Sequence, residues 1–116
     1  MANAILFVGW NRAVVGREKM AMQLYQKSLE YYTKLKEEGK IESFEPVLLS
    51  AHGGDLNGFW LIKGNAQKLG EIREDRIFGD LIIEAGFCLE GFGVVGGFVG
   101  EGLTGVFSRW SKLVTG

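Results

Sequence analysis

The feature that most constrains the fold is the segment of residues 17–38, which contains neither glycine nor proline in a chain that has 18 glycines. Small and apolar side chains recur along it at steps of three and four, at Ala21, Leu24, Ser28, Tyr32 and Leu35. Lysine and glutamate occupy much of the rest. This periodicity predicts a long amphipathic helix with one buried face. Gly39 is well placed to end the helix.

Runs of apolar, β-branched and aromatic residues on both sides of this helix predict strands. Residues 4–10 form a compact run that is typical of a buried strand. Residues 41–51 predict a second strand, and Pro46 puts it at an edge or a bulge, because proline cannot donate to a ladder. Residues 59–63 predict a third strand. The turn-forming residues 52–58 join the second and third strands as a hairpin.

The second half of the chain predicts a helical region, a strand and a final helix. Asn65 and Asp75 are suitable N-caps, so residues 66–88 predict one broken helix or two short ones. Residues 89–99 alternate with a period of two, which predicts a strand. Apolar residues at helical spacing predict a closing amphipathic helix, namely Leu103, Val106, Phe107, Trp110 and Val114.

The predicted order is β-α-β-β-α-β-α, in one domain spanning residues 1–116. Its first six elements match the ferredoxin-like plan, in which two helices cover one face of a four-stranded antiparallel sheet. The predicted fold class is therefore α+β, ferredoxin-like, with an extra C-terminal helix. The other face of the sheet is left uncovered. A second copy of the sheet is its simplest cover, which predicts a homodimer through the sheet face.

Composition and charge argue against several classes of partner. The net charge is −1 and no basic cluster is present, whereas nucleic-acid binding normally requires a basic stripe. No signal peptide is evident, and the longest uncharged run near the C-terminus, residues 91–100, is too short for a membrane span. The single cysteine, Cys88, indicates a reducing compartment. We expect a cytoplasmic protein with no membrane partner.

Residues 91–96, GFGVVG, match the glycine fingerprint of dinucleotide-binding turns letter for letter. That fingerprint requires a helix that opens directly after the glycines. Here the glycines lie inside the predicted strand, and residues 97–100 follow before a helix can start. Glycine in a strand permits a bend or a close approach by another group. The first interpretation is therefore an approaching partner subunit, and the second is a planar ligand.

Several segments carry a resemblance to a known group of proteins, at residues 10–11, 16–18, 52–60, 92–95 and 100–102. In these segments the chain resembles the dimeric α+β barrel group of ferredoxin-like proteins, which includes antibiotic-biosynthesis-type monooxygenases and small uncharacterised proteins. The resemblance implies a homodimer with facing sheets and often a ligand cleft between sheet and helices. Chemistry within the group ranges over oxygenation, isomerisation and haem breakdown, so the fold does not determine the function.

His52 and Asp55 are the catalytic candidates. His52 is the only histidine, and its ordinary pKa lies near neutrality. Asp55 can orient the imidazole, which would then serve as a general base, and a histidine here can also be an axial haem ligand. The alternative is an exposed turn in which Asp55 and Asn57 bond to the local backbone.

Four residues are predicted to contact a ligand: Trp10, Arg17, Asn57 and Trp60. Tyr25, Tyr31 and Tyr32 of the first helix can line the same pocket, or belong to the core or an interface. No metal or cofactor site is predicted, because one His and one Cys do not supply the usual four zinc ligands. Cys88 is predicted to be a small buried hydrophobe.

Two functions remain open on the sequence. The first is a protein that binds or transforms a small, largely apolar molecule in a monooxygenase-like cleft. The second is a non-catalytic dimeric module that serves structure or interaction. The cofactor, if one exists, is unknown.

Overall fold

The computed structural model describes residues 1–115, which form four strands and four helices. The elements are β1 (Ala4–Trp10), α1 (Glu18–Glu37), β2 (Ser43–Leu48), β3 (Gly58–Gly64), α2 (Ala66–Glu74), α3 (Arg76–Cys88), β4 (Gly93–Phe98) and α4 (Gly100–Thr115). This is the predicted element order, with the second helical region divided into α2 and α3. The two helices separate at Asp75, whose extended backbone (ψ 135°) interrupts the helix.

The strands form one antiparallel sheet in the order β2-β3-β1-β4. This is the ferredoxin-like arrangement, and α4 is the extra C-terminal helix, as the sequence predicts. The register places Val8 of β1 opposite Trp60 of β3 and Val94 of β4. Partners that lie opposite each other share a face of the sheet, so these three side chains point to the same side.

The hydrophobic core lies between that face and helices α1, α2 and α3. In β1 the buried residues alternate with partly exposed ones, as expected of a strand whose two faces differ. The core residues from the strands and α1 are Ala4, Leu6, Val8, Trp60, Ile62, Leu24, Tyr31, Tyr32 and Leu35. Those from α2 and α3 are Leu69, Ile72, Phe78, Leu81, Ala85 and Cys88. The first helix therefore buries the face that its periodicity predicts.

The opposite face of the sheet carries apolar side chains that are partly buried or, in the case of Val95, exposed. They are Ile5, Phe7, Val47, Phe59, Leu61 and Val95. The rings of Phe7 and Phe59 lie side by side, with centroids 4.9 Å apart. We call this set of residues the outer sheet face.

Two strand predictions are too long. The second strand occupies Ser43–Leu48 rather than residues 41–51, because residues 49–57 form the loop that leads to β3. The fourth occupies Gly93–Phe98 rather than residues 89–99, because Leu89 pairs with Ala13 in an isolated bridge and Gly91 turns the chain at φ 62°. The edge position predicted for the strand with Pro46 is confirmed.

The structure confirms the amphipathic C-terminal helix that the sequence predicts, but it leaves the apolar side of that helix uncovered. Helix α4 forms, but none of its residues is buried. Its large apolar side chains are mostly exposed, because α4 packs only lightly against β1 and β4. None of the helices within residues 1–115 is both long and apolar enough to cross a membrane.

Candidate ligand-binding cavity

A cavity of about 330 Å³ lies between the inner face of the sheet and helices α1 and α3. Its floor consists of Val8, Trp10 and Trp60 from β1 and β3. Its walls are Ala21, Met22, Leu24, Tyr25, Ser28 and Tyr32 from α1 and Leu81, Ile82 and Ala85 from α3. Lys27 of α1 and Glu84 of α3 form a salt bridge with an N–O distance of 3.1 Å, which ties the two wall helices together.

One end of the cavity is closed by two chain segments that pair with each other. The backbone N–H of Asn11 donates to the carbonyl of Glu90 over 2.8 Å, and the N–H of Glu90 donates to the carbonyl of Arg12 over 2.7 Å. The N–H of Val14 donates to the carbonyl of Cys88 over 2.8 Å. These bonds fix the lining residues of this end, Ala13, Leu89 and Phe92.

Trp60 is held by two tyrosines of α1. Tyr25 stacks on it with ring centroids 5.0 Å apart, and Tyr32 meets it edge to face, also at 5.0 Å. Such aromatic pairs contribute about 0.5–1.5 kcal/mol each beyond the area that they bury. The aromatic wall is therefore preformed.

Trp10 lies flat over Gly58, its partner across the β1–β3 ladder. A methyl group added to Gly58 would come within 2.5 Å of Cζ2 of the indole, so only glycine leaves room for the ring in this position. The carbonyl of Trp10 also accepts a hydrogen bond from the N–H of Asn57 over 3.0 Å. The side chain of Asn57 donates to Asn11 Oδ1. The hydrogen bond from Asn57 therefore helps to fix the backbone of Trp10.

Two residues of α1 that carry hydroxyl groups line the cavity. Ser28 and Tyr32 lie one turn apart and both line it. Neither hydroxyl forms a hydrogen bond with another group within residues 1–115. Every fully enclosed side-chain polar atom in that range has a hydrogen-bond partner, so these two hydroxyl oxygens must be partly accessible. Burial raises the pKa of the Tyr32 phenol far above its ordinary value, because desolvation disfavours the phenolate. Tyr32 therefore stays a neutral hydrogen-bond donor.

The cavity has little charge. Among the described residues, Glu18 is the only charged one that lines it, and Glu18 is exposed at the start of α1. Its Oε1 accepts a hydrogen bond from the N–H of Gly16 over 2.8 Å. This arrangement favours a neutral ligand over an anion, since no cationic side chain of residues 1–115 lines the cavity.

The structure brings together only part of the predicted ligand-contact set. Trp10 and Trp60 line the cavity, whereas Arg17 and Asn57 do not. Arg17 Nη1 donates to the carbonyl of Phe87 over 2.7 Å, and its guanidinium carbon lies 3.7 Å from the centroid of the Phe87 ring. Arg17 therefore braces the end of α3 beside the cavity.

His52 and Asp55 lie in the exposed loop between β2 and β3, outside the cavity lining. His52 Nδ1 is 2.9 Å from the carbonyl oxygen of Ser50. Within residues 1–115 no hydrogen bond or ion pair joins His52 to Asp55. Their catalytic role stays a prediction.

The three tyrosines of α1 divide between two sites. Tyr25 and Tyr32 line the cavity, while the hydroxyl of Tyr31 donates to Asp75 Oδ2 over 2.7 Å in a separate depression. Cys88 is fully buried, as predicted, and burial raises the pKa of its thiol. No group of three or more His, Cys, Asp or Glu residues in the described chain could hold a metal ion.

Sequence reasoning did not assign the small residues that create the cavity. The periodicity places Ala21 and Ser28 on the buried face of α1 without assigning them to a cavity, and Ala85 of α3 lines the same cavity. Their small size is the available signal. Three short side chains that face one large aromatic floor leave space that larger ones would fill.

No protein-family model matches the sequence, and the comparison with curated proteins gives no match. Among solved structures, the chain is similar to a dimeric protein of unknown function and ferredoxin-like fold from Bacteroides fragilis NCTC 9343. The TM-score is 0.62 at 11% sequence identity, and the similarity covers 85% of this chain and 98% of that one. Together with the sheet order, this similarity shows that the chain has a ferredoxin-like α+β fold with an extra C-terminal helix.

Proposed function

We propose that the chain is a homodimeric protein that binds a small, neutral, planar and largely apolar molecule in the cavity. The observation that carries the proposal is the cavity of about 330 Å³ with an aromatic floor and wall. Its volume lies at the lower end of the range for small-molecule sites, about 300–1,000 Å³, and its apolar lining with few polar groups is typical of them.

The lining narrows the class of ligand. The aromatic lining of Trp10, Trp60 and Tyr25 favours a flat ring system, since aromatic partners pack in offset or edge-to-face arrangements. Tyr25 and Trp60 already cover one face of each other, so a ligand would meet their remaining surfaces. The hydroxyls of Ser28 and Tyr32 supply donors for one acceptor atom of the ligand. Glu18 at the opening disfavours a carboxylate, because like charges repel.

The homodimer is supported by the outer sheet face. Its six apolar side chains are partly exposed on each chain, and a second sheet of the same kind would cover them. The similar protein from Bacteroides fragilis is dimeric. We place the contact at the two sheets, as in the dimeric α+β barrel group that the sequence resembles.

The resemblance to antibiotic-biosynthesis-type monooxygenases extends the proposal to chemistry. In that extension His52 acts as a general base and Asp55 orients it. Both residues are exposed and outside the cavity lining, so this extension requires a substrate that reaches beyond the cavity. His52→Ala would then lower turnover and leave the affinity for the bound ring unchanged.

The second candidate function is a non-catalytic dimeric module. The exposed helix α4 favours it, because an uncovered apolar helix is suited to an interaction.

Isothermal titration calorimetry with quinoline tests the binding site. Quinoline is neutral at pH 7.5, planar and carries one acceptor atom. We expect wild-type protein to bind it and Ala21→Phe to bind it about tenfold more weakly or worse, because the added ring fills the cavity. Gln23→Phe puts the same ring on the exposed side of α1 and is the matched control. Equal affinities for wild type and Ala21→Phe would disprove the site.

Two further titrations test the ligand class. Tyr32→Phe removes one donor and should weaken quinoline binding by about two- to tenfold. Quinaldate, the anionic carboxylate of quinoline, should bind more weakly than quinoline to wild-type protein. Tighter binding of quinaldate would contradict the neutral ligand while leaving the cavity itself in place.

A further inference from the structure

Helix α4 presents an apolar stripe that the chain itself does not cover. The stripe consists of Leu103, Val106, Phe107, Trp110, Leu113 and Val114. These positions recur at steps of three and four, so they share one side of the helix, and the polar and charged residues take the other. Trp110 is 55% exposed and Leu113 is 82% exposed. We call these six residues the α4 stripe.

Only the beginning of α4 is attached to the rest of the molecule. The N–H of Val99, just before α4, donates to the carbonyl of Asn3 over 3.3 Å. Gly102 in the first turn lies against the same carbonyl. Beyond this first turn, Phe107 and Trp110 pack on each other edge to face at 5.2 Å, and both remain more than half exposed. The helix therefore projects from the end of the sheet.

The dimensions of the chain show the same projection. The longest extent is 54 Å and the radius of gyration is 15.9 Å, against about 13 Å for a compact chain of this length. The accessible surface is 7737 Å², roughly 1,400 Å² more than the 6,300 Å² or so expected at this mass. The excess is larger than the roughly 800 Å² that each partner buries in a standard interface.

We propose that α4 is an arm that packs its stripe against the second copy of this chain. The inference rests on the homodimer proposed above and adds α4 to the sheet contact. A second copy fits because each chain exposes the same apolar stripe, which a two-fold contact would cover on both subunits. A membrane surface fits less well, since membrane-binding helices are rich in Lys and Arg on their polar side. Within residues 100–115 only Arg109 and Lys112 are basic.

Sedimentation velocity over a range of concentrations tests the arm. Trp110→Glu puts a charge at the centre of the stripe and should weaken dimerisation about thirtyfold or more, because buried tryptophans are frequent hot spots of interfaces. Ser111→Glu puts the same charge on the polar side of α4 and should leave the dimer unchanged. Circular dichroism checks that both variants keep the helix.

Other outcomes separate the arm from the proposed function. A dimer constant for Trp110→Glu within about twofold of the wild-type value would overturn the arm. If Phe59→Glu on the outer sheet face abolishes dimerisation while Trp110→Glu leaves it unchanged, the dimer forms through the sheet contact without the arm. A wild-type monomer that binds vesicles of phosphatidylserine and phosphatidylcholine through α4 would also overturn the arm. Quinoline binding by Trp110→Glu should be unchanged, because α4 does not line the cavity, so loss of the arm and loss of the cavity site are distinguishable.

Discussion

At the scale of the residue, Gly58 and Trp10 determine the shape of the cavity floor. The indole lies on Gly58 because no side chain intervenes, and the Asn57 N–H holds the Trp10 carbonyl. The sequence predicts that Trp10 and Trp60 contact a ligand, and both line the cavity. It could not determine which side of the sheet Trp60 faces, because a shift of one residue in register exchanges the two faces.

Gly58→Ala tests this dependence. The new methyl group should push the indole out of position, weaken quinoline binding and lower the free energy of unfolding by about 1–3 kcal/mol, as overpacking does. Urea unfolding and calorimetry give the two values. Gly70→Ala is the matched control, since nothing lies within 4 Å of the added methyl group and Gly70 is inside α2. It should raise stability by about 0.5–1 kcal/mol. Unaltered quinoline binding by Gly58→Ala would show that the floor does not depend on Trp10.

Tyr31 and Tyr32 predict a loss of stability at alkaline pH. Burial raises the pKa of both phenols in the folded state, and for Tyr31 the hydrogen bond to Asp75 adds to the effect. Above pH 10 or so, the ordinary tyrosine pKa, the unfolded chain releases protons that the folded chain retains. The free energy of unfolding therefore falls as pH rises, and below that pH the contribution is constant.

Urea unfolding between pH 8 and 11 measures this slope. The decline should be shallower when Tyr31→Phe and Tyr32→Phe are combined, because the double variant lacks the two phenols whose protons the folded chain retains. Tyr25→Phe changes an exposed tyrosine of the same helix and is the comparison. A decline of equal steepness in wild type and the double variant would refute the assignment.

At the scale of the element, helix ends follow local chemistry that the sequence displays. Asn65 is predicted to cap α2, and its Oδ1 accepts hydrogen bonds from the N–H groups of Gln67 and Lys68 over 2.9 and 3.2 Å. Strand ends are predicted less well. Leu89 continues the apolar alternation of β4 but pairs with Ala13 instead, and that pairing depends on a segment far away in the chain.

Asn65→Ala should lower the free energy of unfolding by about 1 kcal/mol, because two N–H groups of the first turn lose their acceptor. Asn65→Ser keeps an acceptor at the same position and should retain most of the stability. Chemical denaturation of the three proteins provides the comparison. An Asn65→Ala variant as stable as wild type would mean that the cap contributes nothing to α2.

Helix α4 shows the limit of periodicity as a predictor. The spacing of its apolar residues predicts the helix correctly. It also predicts that one side is covered, yet nothing in the spacing identifies what covers it. The same holds for the outer sheet face: the alternation in β1 and β3 predicts it, and the cover proposed for it is a second copy of the chain.

At the scale of the whole molecule, the order of elements was sufficient for the fold. The resemblance implied a cleft between sheet and helices, but only part of its lining could be predicted. The sheet order follows from the β-α-β-β-α-β succession. The cavity arises where Ala21, Ser28 and Ala85 face Trp60 across three elements that are distant in sequence. Its volume depends on how closely the helices approach the sheet, which local patterns do not encode.

The proposed homodimer would make stability depend on protein concentration. Because association stabilises the folded chains by mass action, the melting temperature should rise by roughly 3 °C for each tenfold increase in concentration. Differential scanning calorimetry over two orders of magnitude in concentration measures the shift. Trp110→Glu should reduce it and Ser111→Glu should not. A melting temperature independent of concentration in wild-type protein would contradict the dimer.

The central claim is that the aromatic cavity binds a flat, neutral molecule, and nuclear Overhauser effects between quinoline and isotope-labelled protein test it most directly. We predict contacts from quinoline to the indoles of Trp10 and Trp60 and to the methyl groups of Ala21 and Ala85. Contacts only to Trp110 and its neighbours on the α4 stripe would show that quinoline binds the exposed helix instead, and would contradict the cavity as the binding site.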